Sequence, residues 1–305
     1  MKKTCFMSAM LAMTLTLTAQ EVVPSVMVRM FPGRKDDVAW ENESGIWRAY
    51  GPALQRSGEK AYGYDVWVKN TPSLVGAERF DMDSLGLVER RKLPGGAWGS
   101  PAADSIEHQT SFHYDHGNGL DCYSVGPSLG GGTPALLIDG KIQYPWCYRS
   151  YRILQNGPDV AEFELTYDTV QVAEDRVVEH RRIVVRKGTR FCECWVTYEG
   201  LTKPVEVCAG IVLHGHEETA RMSLQGHYIA YADPSDRPEE PEVGQVMLGV
   251  YAPDMERAVM SQNHLLAVQT YHPGDSFHYW LGSGWSRGDC PSIEVMVGEL
   301  SQLAH

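Results

Sequence analysis

Past its first twenty residues the sequence has no apolar run near the ~20 residues that a membrane span requires. Basic charge is scarce too: 27 Lys+Arg stand against 39 Asp+Glu, a net charge of −12. That excess argues against nucleic acid or an anionic membrane as partner, because both need clustered cations. A small acidic substrate stays open, since two or three well-placed cations suffice for it. Helical periodicity is weak, and no window holds an i, i+3, i+4, i+7 apolar pattern beyond about three turns. There is no Gly-x-Ser-x-Gly nucleophile elbow, no Gly-Lys-Ser/Thr phosphate loop and no internal repeat. These gaps exclude the common nucleotide-binding and serine-hydrolase designs.

Cysteine is sparse, at seven in 305 residues, and Cys5 falls in the N-terminal segment. Met1-Lys2-Lys3, an apolar stretch from Cys5 to Thr18 and the small-residue site at Ala19 form a signal peptide over residues 1–19. The expectation is export to the periplasm or beyond. The remaining thiols (Cys122, Cys147, Cys192, Cys194, Cys208 and Cys290) are too few for a disulfide scaffold and read as small buried hydrophobes.

What is present is period-two alternation. Residues 64–69, 161–167, 182–186, 191–198, 205–213, 246–251 and 265–270 read as strands, separated by turns such as Asn156-Gly157-Pro158 and Lys187-Gly188. The segment from about Leu85 to Thr110 reads as a long loop or helical turn, and Asp233 to Glu242 as a solvated loop. The fold class expected is all-β, a large sandwich in one domain over residues 20–305.

The densest chemistry is His113-Tyr114-Asp115-His116-Gly117-Asn118-Gly119-Leu120-Asp121-Cys122-Tyr123, which a glycine-rich stretch follows. His and Tyr exchange protons near neutral pH, and glycine lets a backbone approach a ligand closely. A turn-rich loop with satisfied surface histidines is the plainer alternative. Next comes Val212-Leu213-His214-Gly215-His216-Glu217-Glu218, where alternation predicts that both rings point the same way. These histidines suit an acid/base pair or substrate contacts. A metal would need a third ligand from elsewhere, such as Glu218, His272 or His278, so neither metal nor cofactor is expected. His113, His116, Tyr114, Tyr123, His214 and His216 are the catalytic candidates, with His116 and His214 expected in one pocket.

Aromatic and Arg residues recur together around Trp40, at Trp47-Arg48, in Tyr144-Pro145-Trp146-Cys147-Tyr148-Arg149, and from His278 to Arg287. Sugar rings stack their CH-rich faces on Trp and Tyr, and Arg forks suit carboxylates. Trp47, Arg48, Tyr148, Arg149, His278 and Trp285 are therefore the substrate-binding candidates, although a single aromatic is more often core. Asp115, Asp121, Glu217 and Glu218 would be the candidates for a two-carboxylate glycosidase.

The stretches Arg34-Lys35-Asp36-Asp37-Val38-Ala39-Trp40-Glu41-Asn42, Tyr50-Gly51-Pro52-Ala53-Leu54, Asp65-Val66-Trp67-Val68-Lys69 and the His113–Tyr123 motif carry a resemblance. Together they resemble a family of exported bacterial proteins of polysaccharide-utilisation loci, a domain of unknown function to which an ulvan-oligosaccharide dehydratase is similar. The resemblance implies a galactose mutarotase-like β-supersandwich. It also implies a dehydratase, a carbon–oxygen lyase, that removes water from a non-reducing-end uronic acid to leave a 4,5-unsaturated sugar. In that reaction Arg149 or Arg48 would hold the carboxylate, His116 or His214 would be the base, and Tyr123 or Tyr114 the acid. The same residues fit a glycoside hydrolase, a lyase or an epimerase. They also fit a non-catalytic carbohydrate-binding protein, which would bind oligosaccharide without turnover. An oligosaccharide is the expected partner, and the oligomeric state is open.

Overall fold

The computed structural model describes residues 23–96 and 98–304; the expected signal peptide and Cys5 lie outside them. Alternation does what the sequence implies, and the chain is an all-β sandwich of three antiparallel sheets. The N-terminal sheet runs β1 (Met27–Phe31), β2 (Asp37–Glu41), β3 (Gly45–Ala49), β4 (Asp65–Lys69) and β5 (Gly119–Asp121), in that order. A short helix α1 (Pro52–Arg56) follows β3, and helices α2 (Gly76–Arg91) and α3 (Pro101–Thr110) intervene between β4 and β5.

The remaining strands are β6 (Gly131–Ile138), β7 (Lys141–Gln143), β8 (Ser150–Asn156), β9 (Val160–Thr166), β10 (Val170–Val172), β11 (Asp175–Arg186) and β12 (Phe191–Glu199). They continue with β13 (Val205–Val212), β14 (Arg221–Ser223), β15 (Tyr228–Asp233), β16 (Val246–Tyr251), β17 (Arg257–Ser261), β18 (His264–Tyr271) and β19 (Phe277–Trp285). A nine-stranded sheet has the order β14-β15-β16-β19-β12-β11-β9-β8, with β10 attached to β11. The third sheet has the order β17-β18-β13-β6-β7. A bridge between Tyr64 and Gly130 joins the two smaller sheets.

One buried core is shared by all three sheets. Trp40, Trp47, Val66 and Val68 from the N-terminal sheet meet Phe163, Ile183, Cys192 and Cys194 from the large one, and Val207, Ala209 and Ile211 from the third. Cys192 and Cys194 share the inner face of β12, as their i, i+2 spacing implies. The six cysteines from Cys122 onward are buried and free. A final helix α4 (Ile293–Gln302) covers the outer face of the large sheet through Met296 and Leu300. Among the described residues, no helix is long and apolar enough to cross a membrane.

The stretch read as a loop from Leu85 to Thr110 is instead largely helix. The reason is the chemistry of the buried stripe of α2: Gly76, Arg79, Phe80, Asp83, Gly86 and Arg90. Their spacing is helical but their composition is polar, so no apolar period marks the helix. Phe80 alone packs into an aromatic cluster with Phe31, Trp67 and Phe112, and ion pairs and close approach hold the rest of the stripe. Asp83 meets Arg34 at 3.0 Å, Arg90 meets Glu107 at 2.7 Å, and Gly86 leaves room for Thr110 of α3. Arg79 donates to the Gly119 carbonyl at 2.6 Å and pins the start of β5.

Two glycines of the His113–Tyr123 motif and the stretch after it, Gly119 and Gly130, are required by close strand packing. Gly119 has φ +108°, and a side chain there would collide with the Val68 carbonyl of the neighbouring strand. Gly130 is packed equally closely against the Tyr64 carbonyl.

Candidate active site

Strand alternation builds the first half of the site. In the N-terminal sheet Val38, Trp40, Trp47 and Val66 face the core, so Asp37, Arg48, Asp65 and Asp121 project from the opposite face. Register then gathers them, because β3 pairs Arg48 with Asp65 and β4 pairs Trp67 with Asp121. The Arg48 guanidinium lies 2.5 Å from Asp65, 3.3 Å from Asp121 and 3.7 Å from Asp37. It also stacks over Tyr50, Trp67 and Phe112 at 4.8–5.4 Å.

Three carboxylates on one buried cation leave an excess of negative charge, and the carboxyls respond. Burial, opposed by Arg48 and by a bond from the Gly51 amide, pushes Asp37 up to about 6. Burial and the neighbouring Asp65 carry Asp121 well above the usual carboxylate range. Despite burial, Asp65, Tyr50, Asp121 and Asp37 hold Arg48 protonated. Asp37, Arg48, Tyr50 and Asp121 line a cavity of about 290 Å³ together with Arg34, Lys35, His113, Tyr123 and Asp236.

The second half comes from the loop after β13. His214 Nδ1 lies 2.6 Å from the carboxylate of Asp233, which is wholly buried at the end of β15. An ionised carboxylate can only accept, so Nδ1 carries the proton and Nε2 is the basic nitrogen. The Tyr231 hydroxyl accepts from the His214 amide at 3.1 Å. Tyr123 joins the halves. It lines the cavity, its ring stands edge-on to His214 with centroids 5.7 Å apart, and its hydroxyl is buried without a partner. Burial and then Asp233 raise the Tyr123 phenol well above its usual value, so it is a proton donor rather than a phenolate.

Of the residues singled out in the sequence, Arg48, His113 and Tyr123 line the cavity, and His214 stands against the Tyr123 ring. His116 does not line the cavity; it is exposed, and its Nε2 lies 3.0 Å from the Ser111 carbonyl of its own loop. Tyr114 is half-buried, with its ring beside His108 and Arg237. His214 and His216 do not point the same way. Strand β13 ends at Val212 and Gly215 has φ +83°, so alternation is broken before His216, which turns to Glu218 at 3.0 Å.

The substrate-binding candidates scatter. Trp47 and Trp285 are enclosed in the core, where Trp47 stacks on Trp40 and the Trp285 indole donates to the Val243 carbonyl. Tyr148 is buried and donates to the Asp36 carbonyl, and Arg149 is exposed. His278 lies in a ladder between Trp195 and Trp280 and meets Glu193 at 3.0 Å. Among the carboxylates weighed for a glycosidase, Asp121 lines the cavity. Asp115 accepts from the Gly117 and Gly119 amides, and Glu217 and Glu218 are exposed. Asp37, Tyr50, Asp65 and Asp233 were not singled out. A signal for Asp65 exists in its alternation with Val66, whereas Asp233 looks in sequence like the start of an acidic, proline-rich loop.

Known proteins resemble the chain only at a distance. The uncharacterized protein P7 of Formosa agariphila is 26% identical over 210 residues, which is 67% of this chain and 47% of that protein. A GH36 α-galactosidase, AgaB of Geobacillus stearothermophilus, is 12% identical, with a TM-score of 0.37 over 84% of this chain and 41% of that one. The related AgaA, solved in complex with raffinose, is also 12% identical, with a TM-score of 0.30 over 85% and 40%. The chain thus spans under half the length of these relatives, and likenesses so remote transfer no activity. A family model matches residues 9–294, nearly the whole chain, and the protein belongs to that family, the domain of unknown function DUF4861.

Proposed function

We propose that the protein is an exported carbohydrate-active enzyme that eliminates water from a non-reducing-end uronic acid of an oligosaccharide. The observation that carries this reading is the unpartnered Tyr123 hydroxyl, set between the His214–Asp233 pair and the Arg48 carboxyl cluster. Elimination at C4–C5 of a uronate needs a base for the C5 proton, an acid for the departing 4-hydroxyl, and relief of charge on the carboxylate. His214 Nε2 is the base, oriented by Asp233. Tyr123, kept protonated, is the acid. Arg48 lies at the cavity wall, and Asp37, neutral below about pH 6, can donate a hydrogen bond to the developing enolate. The C5 proton passes to His214, the electron pair forms the C4–C5 double bond, and the 4-hydroxyl leaves as water with the Tyr123 proton.

The test is incubation of the purified chain with a panel of uronic-acid-terminated oligosaccharides. A rise in near-ultraviolet absorbance from the conjugated unsaturated uronate, with loss of one water by mass and unchanged chain length, is expected. No such product across the panel would overturn the reading. A glycoside hydrolase is the second reading, favoured by two carboxyls held above their usual range in one cavity. Release of a smaller sugar in the same assay identifies it.

A further inference from the structure

A second cavity opens where the third sheet meets the large one, and the chemistry just described does not use it. Its volume is about 100 Å³. A buried water needs about 10–15 Å³ by the same measure, so it has room for several waters, the space one sugar ring displaces. The mouth carries Tyr144 and Trp146, both exposed, with Tyr62 against them at ring distances of 5.7 and 5.8 Å. These rings are tilted or edge-on to one another, so their faces are not consumed by mutual stacking. The ladder of Trp195 and His278 differs, since those two rings lie parallel, 8° apart.

The lining is mostly apolar, with a few polar groups set in it. Glu179 is buried and paired with Arg181, and the Tyr198 hydroxyl is buried with no hydrogen-bond partner. An apolar ligand would leave the Tyr198 hydroxyl unsatisfied, at a cost. An anion would meet the Glu179 carboxylate, with Asp168 also in the lining. A cation would find Glu179 already matched by Arg181. The groups present suit a ligand with a CH-rich face for the aromatic mouth, a hydroxyl donor for Glu179 and an acceptor for Tyr198.

We propose that this cavity binds a neutral pyranose unit of the oligosaccharide whose uronate end enters the acid–base cavity. The proposal rests on the carbohydrate reading above. The two cavities share a wall. Leu54, Ala61 and Cys147 form one small apolar cluster with Tyr50 packed on it. Leu54 and Tyr50 line the first cavity and Cys147 the second. The two cavities are therefore neighbours across one apolar wall.

The experiment titrates the methyl glycosides of galactose, xylose and rhamnose, with methyl glucuronide as the charged probe. Tryptophan fluorescence and saturation-transfer NMR are the readouts. At least one neutral glycoside is expected to bind. Trp146→Ala should abolish that binding, and Tyr198→Phe should weaken it about tenfold, the scale of one lost hydrogen bond in a buried site. His214→Ala should leave it unchanged. Trp146 is on the surface and Tyr198→Phe removes one oxygen, so both variants should fold, which circular dichroism checks. Neutral glycosides that do not bind, or that bind equally to all variants, overturn the proposal. Turnover of uronate-terminated chains without neutral binding removes this inference and leaves the acid–base reading intact. Neutral binding lost with Trp146→Ala, but without turnover, does the opposite.

Discussion

Five arginines are buried among the described residues, and two of them, Arg48 and Arg181, invite comparison because their carboxylate partners differ in number. Arg48 and Arg181 each lie over aromatic rings, Arg181 over Tyr64 and Tyr167 at 5.2 and 4.0 Å. Arg181 has a single carboxylate, Glu179, whereas Arg48 has Asp37, Asp65 and Asp121. One cation against one anion, both on β11, is a balanced pair. One cation against three leaves carboxyls that cannot all ionise cheaply, so Asp37 is pushed up to about 6 and Asp121 is carried upward as well. Burial is common to both. The count of charges decides which cluster can do proton chemistry, and only the Arg48 cluster has Tyr123 and His214 beside it.

The largest expected effect breaks the balanced side. Arg181→Ala leaves Glu179 buried and unpaired, which costs about 3–5 kcal/mol. Denaturant titration should show it once the pH is high enough to ionise Glu179, whose pKa burial already raises. Arg48→Ala leaves three buried carboxyls without their cation, and its cost should fall on acidification as Asp37 and Asp121 take up protons. Equal losses with equal pH dependence would remove the distinction between the two clusters.

Next is the acid–base pair. On a uronate-terminated oligosaccharide, His214→Ala should lower turnover by about 10²-fold or more, the usual scale for a lost acid–base group. The half-exposed ring contributes little to packing, so the melting temperature should change little. Asp233→Asn should lower turnover as well, because an amide no longer fixes the Nδ1–H tautomer. A melting shift with full activity per folded molecule would make the pair structural.

Asp37 sharpens the Arg48 side further. Its folded pKa of about 6 lies above the ordinary 3.8, so the native state binds that proton more tightly than the unfolded chain does. Its contribution is greatest below about pH 4, falls as pH rises toward 6, and is level beyond. The ceiling is about 3 kcal/mol by the usual conversion. Asp37→Asn keeps an acceptor for the Gly51 amide but loses the proton, so the wild-type decline across that window should vanish in the variant. Parallel melting curves from pH 4 to 7 would contradict the raised pKa.

Much of this was legible in the residues. Strands such as β9 and β12 follow from period-two alternation, because each has one face in the core, whereas β13 and β18 are buried on both faces and read as apolar runs. Helix α2 was hidden because its buried face is built from Arg, Asp and Gly. In the site, Tyr123, Arg48 and His214 were legible as chemistry-bearing residues. Asp65 and Asp233 were not, since what makes them functional is register and the meeting of β15 with the loop after β13. Sequence shows which residues can carry protons; pairing across strands decides which of them meet.

The smallest expected effect tests that last point on a single loop. His113 and His116 lie three residues apart in the same motif, yet His113 lies at the cavity and His116 is turned back on the Ser111 carbonyl. His216 is the matching case beside His214, since it pairs with exposed Glu218 instead of buried Asp233. Both outlying rings lie in solvent, where a substitution usually moves stability by no more than about 0.5 kcal/mol. His116→Ala and His216→Ala should therefore leave turnover within about twofold and melting temperature unchanged, while His214→Ala removes activity in the same assay. A loss at His116 as deep as that at His214 would mean that the loop refolds onto bound substrate. Crystals grown with an unsaturated product would then show the His116 ring withdrawn from Ser111 and turned into the cavity.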